Sequence, residues 1–419
     1  MLLAGGLLAT TAVPASQADS VRDSQWPLAV YRAESAVWPV SQGEGVTVAV
    51  VDTGVLKDHQ DLTGQVLAGA DFTGESTDGS VDTDGHGTGM ASLIAGHGHG
   101  TGAGIMGLAP KARILPIRIT LGENPPSGRS EIAKAIRYAV DHGAKVVNMS
   151  IGGPSGTDPE ERAAVKYAVD KDVVLVAGTG NETSSVGYPA AFPGVVAVGA
   201  VDRNGQLWSK SNVGPETTLV APGADIPRAS AKSTSGQGIA NGTSDATAYV
   251  SATAALIRAK YPSLSAGQVI NRMIKSASAP GDGSAVPSNR YGYGVLAPGK
   301  ALEANPAVDS GSRENPLLGR AESQGTVPPP TEEAWESPEA AAPVADGGNR
   351  GVRWVAVAAA GVAGVVAVGG VVAVLVVRGR RRRERAAAAA GPRETPPPRG
   401  RRGPRPAAGC AGGARARRG

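Results

Sequence analysis

The chain has 419 residues, a formal charge of +4 and one cysteine, Cys410. A single cysteine excludes an intrachain disulfide and a cysteine-based zinc site, so the fold must rest on its apolar core. The charge is uneven: from Arg378 onward 14 arginines stand against 2 glutamates, a balance of +12 that leaves −8 for the rest and argues against nucleic-acid binding by the main body.

The first 18 residues are short and apolar and end in the small-residue pattern Ser16-x-Ala18, which predicts a signal peptide at 1–18 cut after Ala18. A polar N-terminal extension follows over 19–45. From Val46 to Ala304 apolar, β-rich runs alternate with helical patterns. "VTVAVVDTG", "ARILPIRIT", "KVVNMSIGG" and "VVLVAGTGN" read as strands buried on both faces. "SEIAKAIRYAVDHG" and "EERAAVKYAVDKD" read as helices between them. "SLSAGQVINRMIKSA" opens on a Ser265-x-x-Gln268 capping box. The alternation predicts an α/β fold with a doubly wound, mostly parallel sheet.

Residues 305–352 turn to Pro, Glu, Ala and Gly, as in "QGTVPPPTEEAWESPEAAAP", and predict a solvated linker. The 24 uncharged residues 354–377 would form a helix about 36 Å long, enough to cross a bilayer with some tilt, so a transmembrane helix is expected at 353–377. The arginine run after it puts the basic, disordered tail (378–419) in the cytoplasm. Export signal and stop-transfer span agree on a single pass through the cell membrane, with the body extracytoplasmic.

In an open parallel sheet, functional groups gather at the carboxyl ends of the strands. Asp52 ends the first strand. His86, in "DTDGHGTGMASLIAG", and Ser244, in "NGTSDATAYVSATAALI", each stand where a Gly-rich loop turns into an apolar helix. Singly each has a bland reading: a turn residue, a satisfied polar group, a helix cap. Together they supply a nucleophile, a base to take its proton and a carboxylate to orient the base. Asn181, after "VAGTG", offers a side-chain amide to an oxyanion, and the Ser244 N–H at a helix N-terminus offers a second donor.

With these residues in order the chain resembles the subtilisin-family serine proteases. "VAVVDTGV", "DGHGTGMASLIAG", "NMSIGG", "AGTGNE" and "NGTSDATAY" match the family's Asp, His, substrate-strand, oxyanion and Ser motifs over Val46–Ala304. The resemblance implies a serine endopeptidase acting on proteins or peptides through an acyl-enzyme. It implies that Ser150, Ile151 and Gly152 pair with substrate backbone. It further implies that Gly178, Thr179 and Gly180 wall the first specificity pocket, with Gly187 near its floor. With no charge visible there, a small or apolar side chain is expected before the cut. The chain departs from the family in two motifs. Asp245 and Ala248 stand where the family has methionine and proline, and Asp245 is expected to face away from the Ser244 hydroxyl. Gly89 stands where the family has a second histidine.

No cofactor is required, and no metal ligand is assigned. Asp61 matches a family calcium position, but "HGHGTGAGIMG", with His97 and His99, offers few side-chain oxygens, so calcium is disfavoured and a flexible surface loop is expected. The short lead-in with "VRDSQWPL" and "AVWPVSQGEGV", the linker and the single span resemble the mycosins, membrane-anchored subtilases of type VII secretion systems. That resemblance implies secreted substrates and the type VII machinery as partners. Two other readings stay open: a general cell-surface degradative subtilase, and a catalytically weak scaffold that stabilises the secretion complex.

Overall fold

The computed structural model describes residues 20–121, 130–153 and 158–320. The expected signal peptide, the transmembrane helix, the basic tail and the linker beyond residue 320 lie outside these residues. Among the described residues no helix is long and apolar enough to cross a membrane.

The elements run in chain order as follows. Helices α1 (Ser20–Ser24) and α2 (Trp26–Val30) precede a π-helical turn, Ala33–Val37. Strands β1 (Thr47–Asp52) and β2 (Ala70–Asp71) lead to α3 (His86–Ala95). A hairpin of β3 (His97–His99) and β4 (Ala103–Met106) precedes β5 (Arg113–Arg118). Then come α4 (Ser130–Asp141), β6 (Val146–Met149), α5 (Pro159–Asp170), β7 (Val174–Gly178), β8 (Val196–Val201) and β9 (Thr217–Pro222). A second hairpin, β10 (Ile226–Ala229) and β11 (Gln237–Ala240), leads to α6 (Thr243–Lys260), α7 (Ala266–Ser276), α8 (Pro298–Ala301) and α9 (Pro306–Asp309).

Seven strands form one sheet in the order β2-β5-β1-β6-β7-β8-β9, every pair parallel. The alternation of side chains builds two cores. Val48 and Val50 of β1, with Val174 and Val176 of β7, face the layer of α3 and α6; Ala49, Val51, Leu175 and Ala177 face the layer of α4 and α5. Both faces are covered, which is why the strands read as unbroken apolar runs rather than as alternating patterns. After β1 the chain crosses to β5 on one side and returns to β6 on the other. The sheet's switch point therefore lies at the carboxyl ends of β1 and β6, where α/β folds open a crevice. The capping box forms as read: Ser265 Oγ accepts from Gln268 N, and the Gln268 side chain reaches back to Ser265 N.

Two segments differ from the sequence expectation. The extension is not merely polar. Trp26, Leu28, Tyr31, Ala33 and Val37 are buried in the α3/α6 core, and Trp26 Nε1 donates to the carbonyls of Ala224 and Asp225, each at 3.2 Å. Gln25 exchanges two 2.9 Å hydrogen bonds with the Met106 backbone, which ties the extension to β4.

Residues 305–320, expected in the linker, fold against the body because apolar and charged anchors are spaced among the polar ones. Leu317 is buried, and Asn315 Nδ2 donates to Gly194 O at 2.8 Å. Arg272, 1% exposed, pairs with Asp309 at 2.6 Å and donates to the carbonyls of Ala301 and Glu303. Removing one partner of such a pair leaves a buried charge uncompensated. Asp309→Ala should lower stability by about 3 kcal/mol in urea unfolding of the full chain. A loss under about 0.5 kcal/mol would show that residues 305–320 contribute little to the fold.

Candidate active site

Asp52, the last residue of β1, is fully buried. Its Oδ1 accepts from Thr53 N at 2.8 Å and from His86 Nδ1 at 2.7 Å. His86 is the first residue of α3, and its side chain is 22% exposed, open to the crevice. The loop before it is held by Asp82, whose carboxylate accepts from the N–H groups of Asp84, Gly85 and Thr88 and from the Thr53 and Thr88 hydroxyls. One buried acid thus satisfies a first-turn donor of α3, Thr88 N, and fixes the loop residues Asp84 and Gly85 that lead into the helix. Gly87 is required by close approach: a Cβ there would stand 2.1 Å from the carbonyl oxygen of Gly54.

Burial works against the charged form of His86, but the neighbouring Asp52 carboxylate outweighs it and raises the imidazole above its ordinary value. The ring thus has one nitrogen anchored on a buried acid and the other free for chemistry. That is the arrangement of a general base held in one tautomer.

Ser244 is the second residue of α6. It does not cap its helix, contrary to the bland reading of a serine at that place. Gly242 is the cap residue and has no side chain to offer; the Asn181 amide oxygen takes the capping role instead, accepting from Thr243 N at 2.9 Å and Thr243 Oγ1 at 3.1 Å. The bond to Thr243 fixes the Asn181 amide by its oxygen and leaves its NH2 as the donor. The Ser244 N–H and Asn181 Nδ2 converge: both lie within 3.7 Å of a Cβ built on Gly242.

The Ser244 hydroxyl donates to the carbonyl of Ser150 at 3.1 Å, and the Ser150 hydroxyl donates to the carbonyl of Ser244 at 2.9 Å. Asn148 continues this bridge, donating to Ser150 Oγ at 3.0 Å and accepting from Ser251 Oγ at 2.9 Å. A buried polar chain therefore joins β6 to α6 at the nucleophile's turn. In this arrangement the Ser244 hydroxyl is engaged by the Ser150 carbonyl.

The expected substrate-binding residues come together at the ends of β6 and β7. Ser150 is buried, Ile151 is half-buried, and Gly152 is exposed beside the carbonyl of Gly178. Gly187 donates to the Thr179 carbonyl at 2.8 Å, and Gly153 forms an antiparallel bridge with Tyr188. Thr179 offers only backbone: it is fully buried, and its hydroxyl donates to Asn212 O at 3.0 Å. Near Gly180 the structure places a carboxylate that the sequence reading did not count. Glu182 Oε2 accepts from Asn181 N and Asn212 Nδ2, each at 2.8 Å.

The stretch expected to be a flexible loop is the β3–β4 hairpin. It is ordered because Asp61, buried behind it, accepts from Ile105 N at 2.9 Å and pairs with His99 Nδ1 at 2.6 Å. Both oxygens of Asp61 are thereby engaged by protein donors. No cluster of three or more metal-binding side chains occurs among the described residues.

Residues 43–294 match the family described as the subtilase family, peptidase S8. The chain belongs to the subtilase family. It is 40% identical to subtilisin DY of Bacillus licheniformis over 265 residues, covering 61% of this chain and 90% of that protein. Subtilisin E of Bacillus subtilis (strain 168) is 36% identical over 260 residues, 61% of this chain and 65% of the relative. Among solved structures it resembles the MycP3 protease of the type VII (ESX-3) secretion system (34% identity, TM-score 0.60, 67% of this chain and 88% of that one). It also resembles MycP1 from Mycobacterium smegmatis (29% identity, TM-score 0.60, 74% and 91%). The subtilase described here is thus a serine endopeptidase, and its structural neighbours are mycosins.

Sequence reasoning missed Asp82, Asn148 and Arg228. Asp82 had a signal, an acid a few residues ahead of a helix start. Asn148 sits inside an apolar strand run, where a lone polar residue marks a buried contact. Arg228 had none, since its partner lies on another element.

Proposed function

We propose that this subtilase hydrolyses peptide bonds with Asp52, His86 and Ser244 as its triad and Asn181 as an oxyanion donor. The 2.7 Å Asp52–His86 bond at the switch point, facing the first turn of α6, carries the reading. Ser244 Oγ leaves the Ser150 carbonyl, gives its proton to His86 Nε2 and attacks the scissile carbonyl carbon. The carbonyl oxygen becomes an anion held by the Asn181 amide and the Ser244 N–H. His86 then passes the proton to the leaving amine, and water repeats the sequence on the acyl-enzyme. Backbone at 150–152 and 178–180 would align the substrate strand. No step requires a cofactor.

The base works as the neutral imidazole. Because His86 is raised above its ordinary value, the acid limb of the kcat/KM–pH profile should lie above that of free imidazole, with activity rising through it as pH increases. A limb at or below the free-imidazole value would show that Asp52 does not govern His86. Asn181→Ala should lower kcat by about 10²–10³-fold with little change in KM, as for the equivalent loss in a subtilisin. Steady-state kinetics on a fluorogenic peptide measures both.

The cellular role extends the same proposal. The mycosin neighbours, the signal-peptide pattern and the uncharged stretch 354–377 support a single-pass membrane enzyme with its body outside the cytoplasm, cleaving proteins that emerge from a type VII system. Comparing the termini of secreted proteins between wild-type and Ser244→Ala cells tests this. New termini restricted to type VII substrates support it, and termini scattered over unrelated proteins favour a general degradative protease.

A further inference from the structure

One charged contact beside the triad is not used by the mechanism above. Arg228 on β10 reaches Asp245 on α6, Nη1 to Oδ1 at 3.2 Å, with the side chains 18% and 2% exposed. The space for it comes from Gly89. A Cβ at that position would stand 2.8 Å from Cδ and 3.0 Å from Nε of Arg228. The strand that carries Arg228 is itself pinned to α3, since Ala229 N donates to Ser92 Oγ at 3.0 Å. The contact therefore spans from the helix that begins at His86 to the helix that carries Ser244.

The position of Asp245 makes its charge consequential. Its Oδ2 lies 3.7 Å from a Cβ built on Gly242, the point that Ser244 N and Asn181 Nδ2 also border. A bare carboxylate there would oppose an anion developing on the scissile carbonyl. Burial raises the Asp245 carboxyl above its ordinary value, against the pull of Arg228 and then of His86. A guanidinium does not lose its proton in proteins, so a neutral acid would leave Arg228 uncompensated; contact at 3.2 Å supports the ion pair.

We infer that Arg228 and Asp245 are positioning residues of this peptidase: a self-neutralising pair, seated over Gly89, that locks the Ser244 turn to the His86 turn while keeping net charge away from the oxyanion. This rests on the assignment of Ser244 and His86 as nucleophile and base. The charged groups facing His86 are Asp52 from β1, Asp84 from the preceding loop, Arg228 from β10 and Asp245 from α6; Tyr249 faces Asp245 from one turn further along α6. Of these, Arg228 lowers the His86 proton affinity and Asp245 raises it.

The test uses the full chain labelled at its five histidines. The His86 titration midpoint is read by NMR, and kcat and KM are read with a fluorogenic peptide. Arg228→Met should move the midpoint to higher pH and lower kcat by about tenfold or more, with KM changed less than about threefold. Asp245→Met should move the midpoint to lower pH. The double variant should be more active than Arg228→Met, because no unneutralised carboxylate remains, with its midpoint between those of the single variants. Gly89→Ala, which displaces the guanidinium without removing it, should shift both readings in the direction of Arg228→Met; it serves if a single-charge variant does not fold.

Midpoints that stay at the wild-type value, or that move in one direction in both single variants, overturn the inference. So does a Gly89→Ala enzyme identical to wild type. If wild type fails to react with a fluorophosphonate probe while the midpoints still move in opposite senses, the nucleophile assignment fails and the pair's hold on His86 stands.

Discussion

Replacing Ser244 with alanine should lower kcat by roughly 10⁶-fold, the size of the loss when a subtilisin loses its serine. The residue sits in the first turn of α6, beside the end of β6. Alanine suits a helix interior, and the bond lost with the hydroxyl is one partly exposed hydrogen bond to Ser150 O, worth about 1 kcal/mol. The variant should therefore fold, keep the Ser150 Oγ–Ser244 O bridge, and bind substrate with near-normal affinity. Burst-phase acyl-enzyme and fluorophosphonate labelling should both vanish. Activity retained within about tenfold of wild type would remove Ser244 from the mechanism.

Asp52→Asn should cost about 10⁴-fold in kcat while leaving the fold intact, by analogy with the same change in an unrelated serine protease. The side chain is fully buried, and its Oδ1 is what receives the His86 Nδ1 proton. An amide is nearly isosteric, but it carries no charge to favour the imidazolium. When its NH2 faces the ring, Nδ1 becomes the acceptor and the proton moves to Nε2, where it blocks proton transfer from serine. Asp52 is also the group that raises His86, so the residual activity should have its acid limb at lower pH than wild type. A variant with full loss of rate but an unmoved limb would show that Asp52 acts by geometry alone.

What the sequence disclosed followed from local chemistry. The strands were legible because burial on both faces leaves no polar alternation, as in Val146–Met149 and Val174–Gly178. Ser265 and Gln268 announced their helix because a capping box closes within four residues. Asp52, His86 and Ser244 were legible because each stands at a strand or helix end framed by glycines. What escaped depended on distant partners. Trp26 and Tyr31 look like scattered apolar residues in a polar lead-in until α6 and the Ala224 carbonyl are brought beside them. Leu317 and Asn315 sit where composition drifts towards a linker, and their burial depends on Gly194, far back in the chain. Asp245 reads as an ordinary acid in a first turn, and only its contact with Arg228 gives it a different meaning.

The last described residue has a mechanical consequence. The Arg320 guanidinium is held by the carbonyls of Phe192, Val195 and Glu216 and by the Thr218 hydroxyl. These acceptors belong to the segments that enter β8 and β9, at the sheet edge opposite β2. A pull on the chain from beyond this point is delivered first to that rim. Two strands, β7 and β8, stand between β9 and the β1–β6 junction, beside which Asp52 and His86 meet. The guanidinium thus fastens this end of the described chain to the margin of the sheet, two strands away from the crevice that holds Asp52 and His86.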